Sequence, residues 1–280
     1  MPIVKVNGIE LYYEKYGFGD EVVLSAQQRF SEDAYPVKLA ERPAEYTVYN
    51  VTLRGYGQST HLFEAPAKGW YPTWAEDIYA FSRAMNLDSF IYTGVSHGAG
   101  VGWQLVSDFP DAVKAFISVV GAPHPRERIG GVTSKAMQRM NESAHKPEAL
   151  DADDFPFYLV PTTDERRLLR RAQLKQEFQE RLTSFSPEER AIHPGVIFPE
   201  ARTEEELVAI LSGIKVPTLL LCGMFDELST AETAFVAAKA IPKSKAVFYQ
   251  DHSHTLASEA PERLISEVTR FIDEVNQGLV

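Results

Sequence analysis

Six short apolar runs recur along the chain: EVVLSA (21–26), EYTVYNVT (45–52), SFIYTGVS (89–96), AFISVVGA (115–122), TLLLCG (218–223) and KAVFYQ (245–250). They are rich in β-branched and aromatic residues, and their apolarity is continuous rather than alternating. A strand with one face in water alternates and a strand covered on both faces does not, so these runs predict a mostly parallel sheet with helices on both sides. Ahead of them, VKVNGIELYYEKYG predicts a hairpin turning at Asn7-Gly8. Between the runs the period lengthens. Trp74, Ile78, Phe81 and Met85 recur at three- and four-residue steps, with Thr73 and Glu76 reading as a capping box at their start. Val101, Leu105 and Phe109 stripe a second helix. Leu264, Val268, Phe271 and Val275 share one face of a third, which opens at Pro261. Strands alternating with helices give an α/β fold.

The alternation fails between about 124 and 212, where no strand pattern is convincing. That stretch predicts a mostly helical insertion, leaving 1–123 and 213–280 as the core. It carries DERRLLRRAQLKQEFQERL, with Leu174, Phe178 and Leu182 four residues apart, and its many charges read as a solvated face rather than a specific anion site.

Composition narrows the function. A net charge of −11 over 280 residues argues against nucleic-acid partners and against a polybasic membrane contact. No basic region followed by an apolar core opens the chain and no apolar run reaches spanning length, so no signal peptide and no membrane partner are expected. Cys222 is the sole cysteine, which rules out an intrachain disulfide and a cysteine metal cluster and suits a cytoplasmic protein.

The chemistry concentrates in TGVSHGAG, residues 93–100. Gly94, Ser96 and Gly98 make G-x-S-x-G between a predicted strand and a predicted helix. A sharp turn there lifts a serine hydroxyl above the sheet edge and crowds the positions two before and two after it, so both must be small. A dinucleotide loop is the rival reading, but Gly98, Gly100 and Gly102 give G-x-G-x-G instead of G-x-G-x-x-G. A serine nucleophile needs a base to take its proton and an acid to orient the base. Asp226 follows the strand TLLLCG, and His252 and His254 follow the strand KAVFYQ. Loops at the carboxyl ends of parallel strands converge on one face, where sites in open α/β sheets form. His124 reads as a packing residue, and His61, His145 and His193 have no metal spacing around them; no metal is expected.

At these residues the chain resembles the α/β-hydrolase fold family, and within it the epoxide-hydrolase and haloalkane-dehalogenase-like branch. LRGYGQST resembles the branch's R-G-x-G-x-S loop. The stretch from Trp74 to Pro125 resembles the surroundings of the nucleophile, VPTLLLCGMFD the acid strand, and SHTLASEAPERL the histidine block. In that block the catalytic histidine precedes a proline by seven residues; His254 and Pro261 have that spacing and His252 does not. The resemblance makes 124–212 a helical cap and implies no cofactor. It also departs from the branch. Ser96 stands where an aspartate is usual, which moves the expected reaction from displacement at saturated carbon to attack on a carbonyl: an ester, a lactone or a carbon–carbon bond next to a carbonyl. The usual His-Gly after the third strand is replaced by SAQQRF, which puts one oxyanion donor at Gln27 or Gln28 and the other at His97. The glutamine side chains read equally well as oxyanion donors or as ordinary loop residues, with Gln28 the better placed of the two. The expected partner is a small molecule, apolar if DDFPFYLV (153–160), Met137 and Met140 line its pocket; a homodimer stays open. Two alternatives on the same scaffold also stay open: a cofactor-free oxygenase or perhydrolase, and a slow ligand sensor that keeps the three residues.

Overall fold

The computed structural model describes residues 2–31, 33–62, 64–126 and 160–280; Met137, Met140, His145 and all of 153–160 except Val160 lie outside that set. Asn7 and Gly8 have φ of 49° and 76°, the left-handed pair that a two-residue hairpin turn needs, and they join β1 (Ile3–Val6) to β2 (Ile9–Tyr16). Six further strands follow: β3 (Val22–Gln27), β4 (Thr47–Thr52), β5 (Phe90–Val95), β6 (Val113–Val119), β7 (Thr218–Gly223) and β8 (Ser244–Tyr249). They form one sheet in the order β1-β2-β4-β3-β5-β6-β7-β8. The hairpin is antiparallel to itself and to β4, and every other pairing is parallel.

The continuous apolar runs have a simple cause. Successive side chains on a strand point to opposite faces, and both faces are covered. Leu24, Tyr92, Phe116 and Leu220 pack on one side with α2 (Trp70–Ala84), α3 (His97–Asp108), α6 (Glu204–Gly213) and α7 (Ala231–Ala240). Their neighbours Val23, Ile91, Ile117 and Leu219 pack on the other with α1 (Tyr35–Lys38), α8 (Leu256–Glu259) and α9 (Pro261–Asn276). Trp103 of α3 meets the Phe116 ring edge-on at 4.9 Å, and both side chains are fully buried.

One helix start differs from the sequence expectation. Thr73 does not cap α2; it lies within the first turn and its hydroxyl donates back to the Gly69 carbonyl at 2.8 Å. Gly69, at φ 90°, turns the chain, and Pro72 tolerates the first turn because its missing N–H has no partner there anyway. The gain is burial: Trp70 and Tyr71 join Trp74 in the core.

Between β6 and β7 the described residues hold α4 (Glu165–Ser184), α5 (Pro187–Arg190) and α6, and no strand. Arg126 ties the two ends of this segment together, its guanidinium donating to the carbonyls of His124, Ile197, Phe198 and Ala201. The charges of α4 are more than a solvated face, which corrects the sequence reading. The Nε groups of Arg167 and Arg171, one turn apart, reach the two carboxylate oxygens of Glu259 at 2.8 and 3.1 Å. The Glu259 side chain is wholly buried and the two arginine side chains are 12% and 7% exposed. Arg170, on the same helix, pairs with Asp33 at 2.9 Å and donates to the Ser258 carbonyl. A charge leaves water only when a partner replaces its solvation, and the partners here, Glu259, Ser258 and Asp33, lie far from α4 along the chain, beyond any local pattern. Among the described residues no helix is long and apolar enough to cross a membrane.

Candidate active site

The strand order places a crevice. β3 lies between β4 and β5, so the chain leaves β3 toward one edge of the sheet and, after β4, crosses to the other side of β3 to form β5. At such a switch the loops leave the carboxyl ends in opposite directions and open a gap. Gln27 ends β3 and Ser96 follows β5, one on each side of it.

Ser96 sits alone between strand and helix at φ 52°, ψ −112°. A non-glycine residue in the left-handed region is strained, and hydrogen bonds hold it there: its N–H donates to Val119 O at 2.9 Å and its carbonyl accepts from Gly100 N–H at 3.1 Å. The flanking glycines are obligatory. A Cβ on Gly94 would lie 2.2 Å from the Gly98 carbonyl carbon, and one on Gly98 would lie 2.4 Å from the Ala26 oxygen.

Two loops bring the partners. Asp226, past the end of β7, is buried. Its Oδ1 accepts from the N–H groups of Leu228 at 2.8 Å and Ser229 at 3.0 Å, which aims Oδ2 at His254 Nδ1, 2.8 Å away. The Ser229 hydroxyl accepts from Ala122 N–H at 2.9 Å and so joins the acid loop to the loop after β6. His254 Nε2 lies 3.0 Å from Ser96 Oγ. A carboxylate only accepts, so the imidazole proton belongs on Nδ1, and the lone pair of Nε2 faces the serine hydroxyl. The arrangement can draw a proton from Ser96 and hold the resulting imidazolium against Asp226.

His252 does not share in this. Its Nδ1 faces Asp251 Oδ1 at 2.9 Å, and its carbonyl accepts from Phe225 N–H. Burial lowers its pKa against the opposing pull of Asp251. Burial also works against the Asp251 carboxylate, but bonds from His252 and Arg263 outweigh it and hold that group down to about 2.

Both glutamines are committed to protein partners. Gln28 Nε2 donates to the Tyr56 hydroxyl at 3.0 Å. Gln27 Nε2 donates to Val95 O at 2.9 Å, and its Oε1 accepts from Gln28 N–H at 3.0 Å. Each Nε2 uses one of its two N–H groups in these bonds. His97 opens α3 directly after Ser96. Sequence reasoning missed the buried Glu259 beside the histidine loop, whose carboxylate also takes the Thr255 hydroxyl; the spacing of Arg167 and Arg171 on one helix face was the available signal. Among the described residues no cluster of three or more His, Cys, Asp or Glu side chains is placed to hold a metal ion.

Comparison with known proteins adds ancestry. The model of the alpha/beta hydrolase fold matches residues 31–261. The chain is 25% identical over 272 residues to the AB hydrolase superfamily protein YisY of Bacillus subtilis, covering 94% of this chain and 95% of that one. It is 22% identical over 272 residues to the pimeloyl-[acyl-carrier protein] methyl ester esterase of Aliivibrio salmonicida, covering 96% and 98%. Among solved structures, the esterase RhEst1 from Rhodococcus superposes with a TM-score of 0.77 at 23% identity, over 98% of each chain. The family model spans most of the chain, the serine turn and both partner loops included, and the protein therefore belongs to the alpha/beta hydrolase fold family.

Proposed function

We propose that the protein hydrolyses a carbonyl substrate, an ester or lactone, through an acyl-enzyme on Ser96. The observation that carries this reading is the unbroken hydrogen-bonded line from Ser96 Oγ through His254 to Asp226 at the carboxyl edge of the sheet. Ser96 Oγ bonds to the carbonyl carbon while its proton passes to His254 Nε2, and the carbonyl π pair moves onto oxygen. The oxyanion takes N–H bonds from His97, at the positive end of α3, and from Gln28. The pair returns, the alkoxide leaves and takes the proton from His254. Water repeats the sequence: His254 accepts its proton, the acid is released, and Ser96 recovers its hydrogen. Asp226 keeps the imidazole in the useful tautomer throughout.

Serine rather than aspartate supports attack on a carbonyl over displacement at saturated carbon. The 124–212 segment forms the cap in this reading. Met224 and Phe225, about half exposed beside Asp226, suit an apolar acyl or leaving group. An esterase among the full-length relatives agrees with this chemistry.

The test is a panel of esters and lactones with three variants. Ser96→Ala and His254→Ala should each lower kcat by several orders of magnitude with the fold intact, because the members act as a unit. His252→Ala should keep most activity. Equal losses at His252 and His254, or a near-normal Ser96→Ala, would contradict the assignment.

A further inference from the structure

The Gln27 carboxamide spans the crevice. It donates to the carbonyl of Val95, the residue before Ser96, and accepts from the N–H of Gln28. Reversing the amide would set Nε2 against an N–H and Oε1 against a carbonyl, so the two bonds fix its orientation. The N–H it occupies is the one assigned above to the oxyanion. We infer that Gln27 is a displaceable plug: in the resting protein its side-chain oxygen holds the place on Gln28 N–H that the substrate's oxygen must take. The inference rests on the reading of Ser96 as the nucleophile.

The competition is graded by charge. A neutral ester carbonyl is no better an acceptor than the Gln27 amide. A developing oxyanion is, because hydrogen bonds to ionised acceptors are roughly twice as strong as neutral ones. The plug therefore yields as negative charge builds and slows any attack that generates it. A glycine at this position has nothing to offer the Gln28 N–H. A residue that merely braced the serine turn through Val95 would have the opposite effect, since its loss would slow Ser96.

That difference in sign is the test. Gln27→Met keeps the bulk without a carbonyl, and Gln27→Gly removes the side chain. Each is treated with a fluorophosphonate, whose phosphorus bonds to Ser96 Oγ as fluoride leaves and the serine proton passes to His254. The second-order labelling rate is followed by intact mass, and the site is mapped by peptide mass. Either variant that folds, judged by its melting temperature, should label at Ser96 about fivefold faster than wild type, the equivalent of one ordinary neutral hydrogen bond. Labelling at Ser96 at an equal or lower rate overturns the plug and leaves the nucleophile standing. No label at Ser96 in any form, wild type included, overturns the nucleophile reading and the plug with it.

Discussion

The sheet and helix α4 are held by opposite means. Around β3, β5, β6 and β7 the contacts are apolar and continuous on both faces, with Leu24, Tyr92, Phe116 and Leu220 on one side and Val23, Ile91, Ile117 and Leu219 on the other. Helix α4 docks through charge: Arg167 and Arg171 share the buried Glu259, and Arg170 adds Asp33. The first attachment is non-directional. The second depends on direction, because a buried carboxylate with two guanidinium partners is secure only while all three are present. The contrast matters for function, since Ser96 and Asp226 are carried by strand ends, whereas the loop of His254 runs straight into Thr255 and Glu259, on which α4 docks.

Two truncations sharpen the comparison. Phe116→Ala removes a fully buried ring from the sheet core and should cost about 3–5 kcal/mol, measured by denaturant unfolding as a single global transition. Glu259→Ala removes the buried carboxylate that Arg167 and Arg171 share and leaves them only their bonds to Asp251 and the Val160 carbonyl among those described, a loss also of about 3–5 kcal/mol, but confined to the docked helix. Limited proteolysis should then cut within α4 while circular dichroism keeps the sheet signal. If Glu259→Ala instead lowers the global transition as Phe116→Ala does, α4 and the sheet are one cooperative unit and the contrast is wrong.

Acid should act on the histidine loop. Burial holds the folded pKa of His252 below its ordinary value near 6.5. Between the two values the unfolded chain binds more protons, so stability rises with pH there and is lost as pH falls below about 6.5. The melting temperature of the wild type should drop between pH 7.5 and 5.5, and His252→Asn should flatten that drop; an unchanged slope would remove His252 from the explanation. The smallest effect belongs to the exposed pair Arg270–Glu267. Arg270→Ala should change stability by about 0–1 kcal/mol, and a larger loss in the same denaturant titration would mean that surface charge counts for more here than the buried cluster suggests.

These regions were also unequally legible in the sequence. The sheet could be read because its signal is local: an apolar run covered on both faces needs no knowledge of its neighbours. Ser96 and Asp226 could be read as neighbours because each lies at or within three residues of the end of such a run, and strand ends fix where side chains arrive. His254 could be told from His252 only by its distance to Pro261, since both lie in one loop and local pattern does not say which ring turns inward. The Thr73 cap failed because Gly69 and the burial of Trp70 and Tyr71 outweigh a capping signature. The α4 charges failed because Glu259 lies far along the chain. For Gln27 and Gln28 the loop was legible but not the partners, Val95 and Tyr56, to which the amides donate.

If acyl transfer passes through Ser96, the acyl-enzyme can be trapped during turnover. The protein is mixed with a chromogenic short-chain acyl ester, quenched in acid during turnover, and digested for peptide mass mapping. One acyl group is expected on the peptide carrying Ser96, absent from Ser96→Ala. An acyl group on another side chain, or product released by Ser96→Ala at the wild-type rate, would contradict it.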